Sequence, residues 1–394
     1  MAARCSFCGR GSADDTLVTG PHGVAICGDC ADVALTVVEE TSRADAVDRV
    51  ITGIGLLVTQ DERLGEERWG LIAEAGLVIR LGRVTWVGPQ SSLPARYREL
   101  PRLDAGGRMV IPGFVDPITR LLGGPPADVA DAEARVDAAV EMGGRMIQHG
   151  VTALGLRVGG SSEPTTETLA LAAARTVGER LPASVSVAWV DGGTIPEDLL
   201  SRVMVPTASR LASSVEHSCT GEEGHGGLAG RIARYSPMRP HIRLCDEPGD
   251  CLDLAAGALT VEGWAQTDPV DATTAVLEPL RLLDGAPLPI RKLMEAGGQV
   301  AIASGSSPDM RAVSSPVLPM TLAVDVGGVD VWQALWAVTR GAAIALGDAE
   351  RGRLRPGDPA DLVVLDAARP EEILRRPDAN PAWRVVCRGA IVPM

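Results

Sequence analysis

Apolar and polar positions alternate in two rhythms along this chain, and the change of rhythm divides it. From residue 49 to about 110 the period is two, so 53–59, 70–75, 77–81 and 83–87 read as short strands separated by turns at Gly and Pro. Residues 105–120, AGGRMVIPGFVDPITR, give a strand, a Pro112-Gly113 turn, a second apolar run and an acid, Asp116, at a strand end. From Phe114 to about Gly347, short apolar runs alternate with segments of helical period. A helix at 132–149 feeds a strand at 150–155, one at 165–181 leads to 184–190, and one at 290–296 leads to 299–304. This alternation predicts an α/β domain on a parallel sheet. A final hairpin strand is read at 384–392.

Composition changes this picture little. The chain has 394 residues and a 45% hydrophobic fraction, enough for a barrel-sized core plus smaller units. A net charge of −14 argues against nucleic acid or anionic lipid as partners. Apolar runs break before the roughly 18 residues of a membrane span, and no signal-peptide core opens the chain, so a cytoplasmic location is expected.

The cysteines add chemistry. Cys5-Ser6-Phe7-Cys8 and Cys27-Gly28-Asp29-Cys30 are two Cys-x-x-Cys knuckles. Four thiolates so spaced hold one zinc in a closed structural site. A segment of about 40 residues has little core of its own, and zinc binding of about 10–16 kcal/mol supplies the missing stability.

Residues 5–40 resemble the ClpX-type zinc-binding domain, through Phe7, the Gly20-Pro21 turn, the 24–26 strand into Cys27 and a helix at 31–40. That resemblance implies dimerisation and docking of a protein partner through the finger. The motor of that family is missing, because no Gly-x-x-x-x-Gly-Lys-Ser/Thr occurs in the chain. The rest resembles the amidohydrolase superfamily, in particular its imidazolonepropionase-like members. The resemblance rests on Pro112-Gly113-Phe114-Val115-Asp116 and on the return segment Gly352-Arg353-Leu354-Arg355-Pro356-Gly357-Asp358-Pro359-Ala360-Asp361-Leu362-Val363-Val364-Leu365-Asp366. It implies a (β/α)8 TIM-like barrel carrying a discontinuous β-sandwich. The expected units are a finger at 1–42, a first sandwich part at 48–111, a degenerate barrel at 112–350 and a second sandwich part at 351–394.

The family's metal ligands fall on unsuitable residues here. Its first-strand histidines map to Ile118 and Arg120, a later one near Gly193, another near Cys245, and the final aspartate to Gly305. A catalytic zinc needs about three protein ligands and an open position, so no metal is expected in the barrel. Lys292, the sole lysine, lies in a helix and cannot replace them as a carbamate at a strand end. A relocated metal drawn from His217, Cys219, His225, His241, Cys245 and Cys251 is the alternative. The remaining candidates are carboxylates at strand ends, Asp116, Asp191, Asp246 and Glu247, for acid–base work, and Arg120 with Arg157 for binding a ligand carboxylate. Arg120 is expected to face one of those acids.

Three functions follow. The first is a pseudoenzyme, a dimerising scaffold, as a homodimer or other even-numbered oligomer, that binds a protein partner through the finger. The second is a metal-independent hydrolase or cyclase acting on a cyclic amide or modified peptide. The third is an adaptor for the Clp protease machinery.

Overall fold

The computed structural model describes residues 4–6, 8, 17–19, 25–27, 30, 47–191, 195–218, 239–243, 260–262 and 274–394. At the N-terminus, β1 (Leu17–Thr19) pairs antiparallel with β2 (Ala25–Cys27), bringing Leu17 opposite Cys27.

A mixed sheet follows. Its first strands are β3 (Arg49–Val58), β4 (Leu71–Arg80), β5 (Arg83–Pro89), β6 (Arg102–Asp104) and β7 (Met109–Pro112). The period-two pattern suggests separate strands at 70–75 and 77–81, but β4 runs through both. The β3–β4 register slips between Ile51 and Ile54, and Gly53 (φ +62) and Glu74 (φ +46) adopt left-handed backbone there. An extra residue taken up as a bulge bends the ladder without ending it. Gln90 Oε1 accepts the Gly53 N–H at 2.6 Å and steadies the bulge.

The central domain contains β8 (Phe114–Thr119), α1 (Val129–Gln148), β9 (Val151–Gly159), α2 (Pro164–Arg180), β10 (Ser184–Asp191), α3 (Val205–Leu211) and β11 (Ser214–Ser218). It continues through β12 (Arg239–Arg243), β13 (Thr260–Glu262), β14 (Thr274–Leu277), α4 (Ile290–Glu295), β15 (Gln299–Ile302), α5 (Val317–Asp325), α6 (Val331–Ala337) and α7 (Arg340–Ala345). Helix α1 starts three residues before the periodicity does, because the Asp128 side chain accepts the Asp131 N–H and caps it. Pro164, with its φ preset, opens α2.

Strands β8 to β15 form one sheet in sequence order, each parallel to the next. The chain just beyond β15 also meets β8. Gly305 N donates to Ile118 O at 3.1 Å, Arg120 N donates to Ser306 O at 2.8 Å, and Thr119 and Ser306 form a parallel bridge. The first and last strands of the sheet are thus held together at their C-terminal ends.

The chain then returns to the mixed sheet as β16 (Leu362–Leu365), α8 (Pro370–Leu374), β17 (Ala382–Cys387) and β18 (Ala390–Ile391). The expected last strand at 384–392 is the β17–β18 hairpin. Strand β7 sits between the two halves, parallel to β3 and antiparallel to β16, with Leu362 opposite Pro112. Ile51, Leu57, Leu77, Val110, Leu362 and Val364, from both ends of the chain, share one fully buried core.

Candidate functional site

Several charged residues of the central domain lie along or just beyond its parallel strands, whose C-terminal ends are where such sheets carry ligands. Asp116, in the middle of β8, is buried. Its Oδ1 accepts the backbone N–H of Ser304 at 3.1 Å and of Ile118 at 3.4 Å. Burial pushes its carboxyl up to about 6, outweighing those hydrogen bonds.

Ile118, two residues on, is fully buried in a small-residue cluster with Val115, Ala153, Val276, Ala301 and Ala303. Arg120, just past β8, does not face Asp116. Its Nη1 lies 3.6 Å from Oε2 of Glu278, which follows β14, and its Nη2 is buried without a hydrogen-bond partner. The Glu278 carboxylate in turn lies over Gly305, where an ideal Cβ would come within 2.1 Å of Oε2, and Gly305 itself has φ +63. A side chain at 305 would need both a strained backbone and the volume that Glu278 fills.

Arg157, on β9, is only 2% exposed and lies 3.4 Å from Glu216 on β11, itself 1% exposed. It is thus enclosed with Glu216, whereas Arg120 is partly exposed, and the structure does not bring the two arginines together in one ion pair. Asp191, the last residue of β10, is buried. Beside it Glu167, in the first turn of α2, is fully buried, accepts hydrogen bonds from Trp189 Nε1 and the Ser161 backbone N–H, and is raised by its burial.

Glu167, Glu216 and Glu278 are not singled out by sequence reasoning. One signal was available for Glu278, a charge placed directly between the apolar run 274–277 and Pro279. Asp246, Glu247, Gly193, Cys219, His225, Cys245 and Cys251 lie outside the described residues, and His217 and His241 are described in backbone only.

At the N-terminus, Cys5, Cys8, Cys27 and Cys30 bring their sulfurs within 4.8 Å of one another, with Cys8 Sγ 3.5 Å from Cys27 Sγ. A tetrahedron of zinc–sulfur bonds of about 2.3 Å has edges of about 3.8 Å, so the four fit one zinc ion. Cys5 Sγ accepts the Cys27 backbone N–H, and Ser6 Oγ accepts that of Ala25, which fixes the knuckle against β2. Donating its S–H to the Cys27 sulfur pushes the Cys30 thiol up to about 12, a penalty that a bound cation reverses by taking the sulfurs as thiolates. Among the described residues, these four form the only group of three or more His, Cys, Asp or Glu residues close enough to hold a metal ion.

Residues 282–393 match the Amidohydrolase family, and residues 3–40 match the ClpX C4-type zinc finger. The imidazolonepropionase of Paracoccus denitrificans is 29% identical over 394 residues, covering 85% of this chain and 98% of the relative. That of Brucella suis is 27% identical over 384 residues, covering 82% and 94%. Among solved structures, Aspergillus niger ochratoxinase superposes with a TM-score of 0.66 at 17% identity, covering 88% of this chain and 96% of the other. N-isopropylammelide isopropylaminohydrolase from Burkholderia multivorans does so with a TM-score of 0.68 at 16% identity, covering 88% and 98%. These likenesses establish the fold. The chain therefore carries an amidohydrolase-family domain with imidazolonepropionase homologues, behind an N-terminal ClpX-type C4 zinc finger whose four cysteines lie close together.

Proposed function

We propose that the protein is a pseudoenzyme, a scaffold whose parallel sheet closes as a (β/α)8 barrel without a catalytic metal and whose zinc finger binds a protein partner. One observation carries this reading. Of the positions that the family resemblance gives to metal ligands, Ile118 is packed among apolar side chains, Arg120 points a guanidinium at Glu278, and Gly305 lies under the Glu278 carboxylate. A guanidinium stays protonated and repels a cation, and an isoleucine offers it no lone pair.

The working divisions are the finger at 1–42, the sandwich parts at 48–111 and 351–394, and the barrel at 112–350. The finger supports dimerisation by its likeness alone, so sedimentation of the full chain with and without a chelator tests that step. No described helix is long and apolar enough to cross a membrane, and we take the cytoplasm as the site of action.

The deciding experiment is elemental analysis of the full chain and of a Cys5→Ser/Cys8→Ser variant. One zinc per chain in the first and none in the second is expected. Zinc kept by the variant overturns the reading.

A second reading keeps catalysis. Asp116, raised to about 6, has the acidity of a group that can hold and release a proton near neutrality, as metal-independent hydrolysis of a cyclic amide requires. Turnover abolished by Asp116→Asn with the fold intact decides for it. Adaptor work for the Clp machinery rests on the finger alone, and its test is direct titration with the purified unfoldase.

A further inference from the structure

Several arginines among the described residues are held close by acids. Arg351 Nε lies 2.8 Å from Asp361, Arg353 Nε lies 2.6 Å from Asp358, and Arg311 grips Asp284 through two nitrogens at 2.5 and 3.0 Å. Arg120 differs. Nη1 reaches Glu278 only at 3.6 Å, beyond hydrogen-bond distance, and Nη2 has no acceptor. A guanidinium carries five donors in a planar fork, so one loose contact leaves most of its bonding capacity unused.

Location adds the second argument. Arg120 leaves β8 at the C-terminal end, is bonded through its backbone to Ser306, and keeps 25% of its side chain exposed while Glu278 keeps 10%. It is therefore held in place and partly exposed, as Arg157 is not, with the unpartnered Nη2 on its buried side. We infer that this strand-end face holds a subsite for the carboxylate of a small organic acid, received by the Arg120 guanidinium. A planar carboxylate that displaces Glu278 takes the unpartnered Nη2 and a neighbouring nitrogen in two parallel N–H···O bonds, a geometry Glu278 does not reach from its place over Gly305. Glu278 then acts as a tethered competitor that neutralises Arg120 when no ligand is bound.

The inference rests on reading Arg120 as the occupant of a lost metal-ligand position, and its test separates the two. Acetate and benzoate are titrated calorimetrically into the zinc-loaded full chain in Tris chloride, with sodium chloride and inorganic phosphate as controls. Saturable binding of a carboxylate is expected, weakened about ten-fold in Arg120→Lys, which keeps a charge beside Glu278 but loses the fork. Glu278→Gln, which removes the competitor at constant shape, is expected to tighten binding several-fold. Absence of saturable heat, equal affinity in Arg120→Lys, weaker binding in Glu278→Gln, or preference for phosphate each overturns the subsite. If Arg120→Lys does not fold, the sign of the Glu278→Gln effect decides alone. Zinc content, measured on the same samples, reports on the pseudoenzyme reading independently.

Discussion

Charges are handled differently at the return segment and at the strand ends. Around 348–361 the acids are closed in: Asp361 accepts from Arg351 Nε at 2.8 Å and from the Arg388 N–H at 2.6 Å, and Asp358 accepts from Arg353 at 2.6 Å. Both carboxylates are almost fully buried. At the strand ends Arg120 and Glu278 stand 3.6 Å apart with a bonding group left over, while Asp116, within β8, accepts from the backbone of Ser304 and Ile118 and from the Ser304 side chain. A buried charge that is multiply bonded locks two elements together, whereas one loosely paired remains available to something else.

The contrast can be broken by experiment. Asp361→Ala strips a partner from both Arg351 and the Arg388 backbone, and a loss of about 3–5 kcal/mol is expected from denaturant titration. A loss below about 1 kcal/mol would erase the distinction.

Asp116 comes next. Its folded value of about 6 exceeds the ordinary unfolded value of about 3.9, so the folded chain holds a proton that the unfolded chain has released. Its contribution to stability is fully present below about pH 4 and lost as pH rises through 6. Asp116→Asn stays neutral, so between pH 4.5 and 7.5 it should gain on the wild type by about 2 kcal/mol, read as a change in the gap between their urea midpoints. A gap independent of pH would mean that Asp116 ionises without cost.

The smallest effect is expected for the loose pair. A double-mutant cycle with Arg120→Met and Glu278→Gln should give a coupling below about 1 kcal/mol, against a larger one for Arg351 and Asp361. Coupling above about 2 kcal/mol would place Arg120 with the locked arginines and remove the basis for a ligand subsite.

The same contrast explains what could be read from sequence. The return segment was legible because its determinants are local: the apolar run 362–365 and the Pro356-Gly357 turn lie within a few residues of their acids. The alternation of α1, β9, α2 and β10 was legible to within four residues because period and caps are local too. Asp116, Arg120 and Asp191 were visible as charges ending apolar runs. The partners of Arg120 and Arg157 were not, since Glu278 and Glu216 reach them across skipped strands, and a glutamate's ordinary place is the surface. The bulge at Gly53 escaped notice because it changes register without interrupting the apolar pattern.

Strand β7 carries a consequence for biosynthesis. It pairs on one side with β3, made early, and on the other with β16, made near the end of the chain. During translation its β16-facing edge stays bare until residues 362–365 have left the ribosome, after the whole central domain has emerged. A product cut short within that domain therefore displays an unpaired apolar strand, a mark by which proteolysis can tell truncated chains from finished ones.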